Sequence, residues 1–435
     1  MVAVSPMSGP DSAFPFRMPA LKRGNKKRGG HPVRKRNLVL AGLAAAVLAG
    51  GGWYASLDKE TRGLLAALPT NRDVLAWTLP QRDAAFRAMD KITLLADART
   101  IQPSAQTLPL PPGKPLEIPG VDAFLATQRS AGLVILQDGS VRFERYGLGF
   151  DAKGRWTSFS VAKSFTSTLV GAAIKDGAIK SLDDKISVYV PGLRGSAYDG
   201  VSVRQLLMMS TGVRWNEDYE DPNSDVSRFN NAEPELGMDA TVSYMRKLPR
   251  AHQPGTAWHY STGETNLIGV LVSSAVKKPL SQYLQEKIWQ PAGMEASATW
   301  LLGKTGHEIA GCCIQAETRD FARFGLFVLA GGAAGGQQIV PQDWFAMATT
   351  KQIDIGKPGH GYGFQWWTYD DGSVAAQGIF GQGIFIDPKR HLVIASNADW
   401  TRATNGPEPE AREVFYKQIQ ALIDVEAEGG SQLPR

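Results

Sequence analysis

One stretch of the chain, residues 37–57, carries no charged side chain, which limits what can surround it. Its 21 residues are just enough for a helix that crosses a bilayer. Residues 1–37 hold nine Lys and Arg against one acidic residue, a balance of +8, whereas the rest of the chain totals −3. Because positive charge stays on the cytoplasmic side, we expect a single-pass helix in the inner (cytoplasmic) membrane, with the C-terminal part of the chain in the periplasm or otherwise outside the cytoplasm.

The same stretch has two other interpretations, a buried core helix and a signal peptide that is cleaved to release a secreted form. No small-x-small cleavage site ends the run, so the sequence favours an uncleaved anchor. The acidic balance of the remaining chain shows no basic stripe, which argues against a nucleic-acid partner.

The two cysteines, Cys312 and Cys313, are adjacent. Vicinal cysteines rarely bond each other, and the chain has no Cys/His ligand spacing. The sequence therefore predicts no disulfide framework, no metal site and no other cofactor.

Changes in composition divide the chain into five parts. Residues 58–120 combine helical patterning, clearest at Asp83–Leu95, with a connector at Arg99–Gly120 whose six prolines predict extended structure. The predicted parts are a basic disordered tail (1–36), a transmembrane or signal-anchor helix (37–57), a helical pre-segment with a Pro-rich connector (58–120), a folded domain (121–427) and a short tail (428–435).

Strand signals occur at both ends of the predicted domain. Apolar runs on either side of Asp138-Gly139 predict a β-hairpin, and Gly383–Asp387 with His391–Asn397 predict a second one. The middle, about residues 160–345, is mostly helical in pattern, and Glu410–Val425 reads as an amphipathic helix. We therefore predict an α+β domain in which the terminal segments share one sheet and a helical region is inserted between them.

Ser160 and Lys163 form a Ser-x-x-Lys pattern at the start of an apolar segment that runs to Ile174. Residues at i and i+3 lie on one helix face, so the lysine nitrogen can reach the serine hydroxyl. A helix of this composition is buried, and desolvation lowers the pKa of a buried lysine. The pattern thus predicts an activated serine nucleophile that needs neither histidine nor metal.

The same spacing also occurs at Ser56–Lys59 and Ser274–Lys277. The first pair directly follows the uncharged stretch, and the second lies where Lys277-Lys278-Pro279 ends a helix. Both are interpreted as structural positions. A Lys304-Thr305-Gly306 triplet is interpreted as a loop, because no strand follows it directly.

Two further elements complete a candidate site. Tyr260 precedes a second apolar helical segment, and a tyrosine beside a cationic lysine can have a lowered pKa and carry a proton to a leaving group; taken alone, it could equally pack in the core. The Gly-rich run at 376–383 opens a strand, and its glycines let backbone approach the nucleophile. We predict Ser160, Lys163 and Tyr260 as catalytic residues and the backbone N–H groups of Ser160 and Ile379 as oxyanion donors.

These three elements, in this order, resemble the serine β-lactamase and penicillin-binding-protein superfamily over about residues 120–425. The class C β-lactamase and esterase branch fits best, because it has a tyrosine where class A enzymes have a serine. The resemblance implies a β-lactamase/transpeptidase-like fold, with an antiparallel sheet flanked by helices and an all-helical subdomain. More narrowly, residues 215–222 resemble the 6-aminohexanoate-dimer hydrolase (nylon-oligomer hydrolase) branch, in which the tyrosine that matches Tyr219 contacts substrate.

Two positions depart from the pattern of the superfamily. Thr262 stands in place of an asparagine, and Gln377 stands where a lysine or histidine usually opens the third motif. The replaced groups normally hold the carboxylate of a β-lactam or peptide, so we expect such anions to bind poorly. Substrate contacts are expected from Gln377 and Gly378, and pocket walls from aromatic side chains: Tyr219, Trp215, Trp366 and Trp367.

The expected function is that of a membrane-anchored serine hydrolase that forms an acyl-enzyme on Ser160 and cleaves small esters or amides. The alternatives are a cell-wall D,D-peptidase or β-lactamase, which Gln377 disfavours, and a non-catalytic penicillin-binding-like sensor, which the intact Ser160, Lys163 and Tyr260 disfavour. The expected partners are a small-molecule substrate and, through the N-terminal helix, the membrane.

Overall fold

The computed structural model describes residues 32–57, 59–71, 73–91, 96–229 and 231–430. Residues 1–31 of the predicted disordered tail (1–36) and 431–435 of the predicted C-terminal tail (428–435) lie outside the described residues, whereas 32–36 and 428–430 are helical, contrary to the prediction. The chain divides into an N-terminal unit, residues 1–62, and a large unit, residues 63–435.

The N-terminal unit contains one long helix, α1 (Pro32–Ser56), which begins five residues before the predicted stretch. Within it, Asn37–Ser56 are 20 residues that are long and apolar enough, by length and composition alone, to cross a membrane. None of this segment is buried, so the interpretation as a buried core helix is wrong.

The remaining elements follow in chain order. The helices are α2 (Lys59–Ala67), α3 (Leu79–Ala85), α4 (Val121–Thr127), α5 (Ala162–Lys175), α6 (Ile186–Tyr189), α7 (Val203–Leu207), α8 (Asp225–Phe229), α9 (Ala240–Met245), α10 (Thr262–Val276), α11 (Leu280–Leu284), α12 (Thr318–Leu329), α13 (Trp344–Ala348) and α14 (Glu408–Gly430). The strands are β1 (Ala98–Ile101), β2 (Ser130–Gln137), β3 (Ser140–Tyr146), β4 (Trp156–Thr157), β5 (Ala298–Leu301), β6 (Ile314–Ala316), β7 (Ala333–Ala334), β8 (Gln337–Gln338), β9 (His360–Tyr362), β10 (Trp367–Tyr369), β11 (Val374–Gly378), β12 (Gln382–Asp387) and β13 (Leu392–Ala398).

The main sheet has seven antiparallel strands in the order β3-β2-β13-β12-β11-β10-β9. The first hairpin turns at Asp138 and Gly139, whose φ angles of 49° and 75° fit a tight turn that needs left-handed residues. Strand β2 pairs with β13, so segments from both ends of the domain lie side by side. Both predicted hairpins and the shared sheet are confirmed.

Side chains alternate between the two faces of this sheet. On β2, Leu133 and Ile135 pack in a cluster with Phe415 and Ile419 of α14. Their neighbours on the strand, including Val134, belong to the larger core that contains α5, α10 and α12. The α5 side of the sheet therefore faces the helical region, and this is the side on which the candidate site forms.

From residue 63 onward, the pre-segment belongs to the same compact unit as the predicted domain. Strand β1 pairs with β5 at the edge of a second, four-stranded sheet of order β1-β5-β6-β4, so the start of the predicted connector is a strand. The predicted helix at 83–95 is instead α3 followed by turns up to residue 91, and residues 92–95 lie outside the described part. From α3, Arg82 forms a buried ion pair of 2.7 Å with Asp399, just beyond β13.

The expectation for the cysteines is wrong, because the structure joins Cys312 and Cys313 by a disulfide bond. Both lie in the turn before β6, where the chain folds back beside α5. Adjacency in sequence disfavours this bond in general, but here the turn brings the two sulfur atoms together.

Candidate functional site

Ser160 lies at the point where β4 meets α5. Phe159, directly before it, has a φ of 40°, a left-handed conformation that costs energy for a bulky residue and turns the chain sharply. The Phe159 ring is held in an aromatic cluster with Phe86 and Phe380. This turn brings Ser160 to the N-terminal end of α5, as the Ser-x-x-Lys pattern predicts.

Helix α5 is buried along most of its length, as predicted. Its hydroxyl side chains donate to carbonyl groups of neighbouring segments; Thr166, for example, donates to the Ala310 carbonyl over 2.9 Å. Lys163 is 2 % exposed, and its ammonium donates to Thr262 Oγ1 over 2.9 Å. Burial lowers the pKa of Lys163 to about 8, although the charge of Glu217 opposes the shift.

Tyr260 lies immediately before α10, whose N-cap is Ser261. Its ring stacks on Trp367 at 5.6 Å, and Lys163 Nζ is 5.3 Å from its centroid. The phenolic oxygen lies next to the Ser160 side chain. Burial, followed by the charge of Glu217, raises the pKa of Tyr260 well above its usual value, so the lowered pKa expected from the sequence is wrong.

A carboxylate that the sequence analysis did not single out connects these groups. Glu217 accepts hydrogen bonds from the Thr262 backbone N–H over 2.9 Å and from the Thr262 hydroxyl. It also accepts from the Tyr219 hydroxyl over 2.6 Å and from the Trp215 indole. Thr262, in the place of the expected asparagine, thus links Lys163 to Glu217.

The third predicted element lies against the nucleophile. A Cβ built on Gly378, the last residue of β11, would come within 2.7 Å of the Ser158 carbonyl oxygen and 3.0 Å of the Ser160 nitrogen. Only glycine permits this approach of the two backbones. Ile379 follows directly and lines both cavities next to Ser160.

Two cavities meet at Ser160 and Ile379. The first encloses about 250 Å³, and we call it the polar cavity only because Gln377 and Arg412 lie in its walls beside Tyr260. The second, which we call the apolar cavity, encloses about 270 Å³ between the pre-segment and the loop that carries the disulfide. Tyr219 borders both, together with a wider outer cavity of about 920 Å³.

The structure corrects the expectation of a site without a cation. The Arg412 guanidinium, from α14, donates to Gln377 Oε1 over 2.8 Å and lines the polar cavity with it. It lies over the Trp400 ring at 4.7 Å, and no salt bridge of the described residues includes it. Positive charge therefore borders the site from another element, and the argument that anions bind poorly no longer holds.

The predicted aromatic walls are only partly in place. Trp367 and Tyr219 line the polar cavity. Trp215 is 3 % exposed, packs against Phe229 and acts on the site only through its bond to Glu217. Trp366 is also buried, because successive residues of the segment that leads into β10 point in opposite directions.

The other patterns lie outside the site or at its rim. Ser56 ends α1, and Ser274 lies in the last turns of α10. The Lys304 triplet forms a turn at the outer rim of the apolar cavity, where Lys304 donates to the Asn231 carbonyl over 2.7 Å. The described residues contain no group of three or more His, Cys, Asp and Glu side chains that could hold a metal ion.

Comparison with known proteins agrees with this geometry. Residues 121–416 match the family model Beta-lactamase. The 6-aminohexanoate-dimer hydrolase of Paenarthrobacter ureafaciens is 29 % identical over 323 residues, 71 % of this chain and 81 % of that protein. A Beta-lactamase of Pseudomonas fluorescens is 26 % identical over 187 residues, which are 40 % of this chain and 48 % of that protein.

Solved structures share the fold. A Bacillus anthracis protein provisionally assigned as a 6-aminohexanoate-dimer hydrolase superposes with a TM-score of 0.72 at 22 % identity, over 84 % of this chain and 98 % of its own. A class C beta-lactamase gives a TM-score of 0.52 at 15 % identity, over 69 % of this chain and 93 % of its own. With its Ser-x-x-Lys helix and Tyr260 beside a mixed α/β core, the chain belongs to the Beta-lactamase family of serine hydrolases.

Proposed function

We propose that the protein forms an acyl-enzyme on Ser160 and cleaves small-molecule esters or amides. The observation that carries this proposal is the cluster of Ser160, Lys163 and Tyr260 at the junction of two cavities. A buried lysine with a pKa near 8 is half neutral near pH 8, so a sizeable fraction can act as a general base near neutral pH.

In the acylation step, the Ser160 oxygen attacks the substrate carbonyl while its proton leaves through Tyr260 towards the neutral amine of Lys163. Because the pKa of Tyr260 is raised, this residue acts as a neutral hydroxyl that passes protons on rather than as a stored tyrosinate. The tetrahedral oxyanion accepts hydrogen bonds from the Ser160 and Ile379 N–H groups. The ester C–O or amide C–N bond then breaks, and Tyr260 returns the proton to the leaving group.

Deacylation repeats these roles with water as the nucleophile. Water loses a proton through Tyr260 to Lys163, the acyl–Ser160 bond breaks, and Ser160 regains its proton. The step releases a carboxylic acid and restores the free enzyme, and it uses the same oxyanion donors.

A β-lactamase or D,D-peptidase activity is the second candidate, and Arg412 is the observation that favours it. Its guanidinium borders the polar cavity beside Gln377, the position where the superfamily usually has a cation. Nitrocefin, which carries a carboxylate, distinguishes the two: turnover faster than that of short esters would make this candidate the better description.

We further propose that residues 37–57 anchor the chain in the inner membrane, with residues 121–427 as an extracytoplasmic catalytic domain. The support is the +8 segment before the apolar helix. The anchored protein should resist extraction with alkaline carbonate and keep its N-terminus. A full-length protein that fractionates as soluble would contradict this.

Labelling with a fluorophosphonate probe tests the activity itself. The wild-type protein should be labelled and should hydrolyse p-nitrophenyl acetate, and Ser160→Ala should lose both. Ser274→Ala, in the other Ser-x-x-Lys pattern of the folded body, is the matched control and should retain both. An adduct on another serine, or no labelling of the wild type, would refute the proposal.

A further inference from the structure

We propose that the apolar cavity binds the acyl part of the substrate, an unbranched apolar chain of roughly six to ten carbons, and that Leu75 of the pre-segment limits its length. This inference rests on the proposed acyl transfer to Ser160 and adds the substrate class. The cavity is lined by Ser160 and also by the exposed Asp73 and Lys304.

The position of Tyr260 decides which cavity takes which half of the substrate. The group that protonates the leaving atom must contact it. Tyr260 lines the polar cavity and is not among the residues that line the apolar cavity. The leaving alcohol or amine therefore lies in the polar cavity with Tyr260 and Arg412, and the acyl chain extends the other way from the carbonyl carbon.

Most side chains that line the apolar cavity are apolar, although Asp73, Asn231 and Lys304 also line it. One wall comes from the pre-segment, with Val74, Leu75 and the buried Trp77 and Met89. The opposite wall comes from residues 301–313, including the Cys312–Cys313 disulfide, which presents two sulfur atoms without a thiol hydrogen. Apolar lining of this kind favours an acyl chain without charges along its length.

The volume of the apolar cavity sets the length of the acyl chain that it can hold. A methylene group takes about the space of one water molecule in the liquid, roughly 30 Å³, so about 270 Å³ holds about nine such groups. Leu75 is half-buried and lines both this cavity and the outer one, so its side chain lies at the boundary between them. A larger side chain at this position shortens the apolar cavity, and a smaller one joins it to the outer cavity.

The test is a chain-length series of p-nitrophenyl esters, from acetate to decanoate, with the full-length protein. The leaving group is constant, so only the acyl pocket is probed. The wild type should prefer octanoate over acetate, since each buried methylene adds up to about fourfold to kcat/KM. Leu75→Trp should lower the octanoate-to-acetate ratio of kcat/KM at least about 10-fold.

The matched control is Ala76→Trp. This exposed neighbour lines the outer cavity and is not among the residues that line the apolar one, so the ratio should stay at its wild-type value.

If Leu75→Trp also loses acetate turnover, Leu75→Ala decides instead, and it should move the preferred chain to a longer ester. Equal ratios in wild type and Leu75 variants would overturn this inference, while Ser160-dependent acetate hydrolysis would leave the proposed function intact. Loss of all hydrolysis and labelling in the wild type would refute the proposed function itself.

Discussion

Two regions meet at Ser160 and differ in how they are built. The floor of the candidate site, Ser160, Lys163 and Tyr260, lies on or just before two core helices, and both Ser160 and Lys163 are nearly inaccessible. The entrance, residues 73–77, 217–229 and 231–232, is made of turns, loops and short helices with many exposed side chains. Close packing fixes the geometry of the floor, whereas single side chains in the entrance can change without disturbing the core. We therefore expect substitutions in the floor to affect all substrates, and substitutions around it to discriminate between them.

We expect the largest loss of activity from Gly378→Ala. The added Cβ would collide with the Ser158 carbonyl oxygen and press on the Ser160 nitrogen, so β11 must move away from the nucleophile. Loss of one oxyanion donor lowers kcat by about 10²- to 10³-fold, measurable with p-nitrophenyl acetate.

Gly383→Ala in the adjacent strand is the control, because its Cβ would meet side-chain atoms of Ser396 and Tyr416 at 3.1 Å instead. It should be much less harmful to turnover. Full activity of Gly378→Ala would exclude this backbone from the oxyanion site.

The variants Lys163→Ala and Tyr260→Phe test whether these two residues act together in proton transfer. Each should lower kcat by about 10²-fold or more, the scale of a general acid–base group. Because both act on the same proton, the double variant should be little worse than either single one. If the fold losses in kcat of the two single variants multiply in the double variant, the two residues work independently.

Arg412 should separate charged from neutral substrates. Arg412→Gln removes the cation beside Gln377 and should weaken binding of substrates with a carboxylate in the leaving group by roughly 10- to 100-fold, as expected for a charge-assisted hydrogen bond. Neutral p-nitrophenyl esters serve as the internal control, and their kcat/KM should change little. An equal loss for both substrate types would assign Arg412 to the packing of α14 only.

The smallest effect is expected at Glu217, the link between floor and entrance. In the wild type, kcat/KM should rise with pH around a midpoint near 8, because Lys163 must lose its proton to act as a base. The charge of Glu217 raises the pKa of Lys163, so Glu217→Gln should move this midpoint to lower pH. Glu220→Gln, an exposed neighbour, should leave the pH profile unchanged; an unshifted midpoint in Glu217→Gln would break the proposed link.

The same contrast explains what the sequence could predict. Ser160 and Lys163 are related by helical periodicity, and the hairpin at Asp138-Gly139 by turn chemistry, so local patterns were sufficient. Glu217 reaches Thr262 across 45 residues, and Arg412 reaches Gln377 across 35, through the packing of separate elements. In a single sequence, nothing distinguishes Glu217 and Arg412 from charged residues on the surface. Trp215 was predicted to line the pocket because no periodicity of the loop reveals which way its side chain points.

The buried Arg82–Asp399 pair also bears on where a foldable chain can begin. The match to the family model starts at residue 121, and Asp399 lies inside the matched region. Its ion-pair partner Arg82 lies 39 residues before the start of that region. A chain cut at residue 121 would keep the 3.6 Å ion pair of Asp399 with Arg129 but lose the 2.7 Å pair with Arg82, together with the strand that pairs with β5. We therefore expect residues 77–91 and 96–101 to unfold together with the main sheet, and the smallest independently folding piece to begin at or before Trp77.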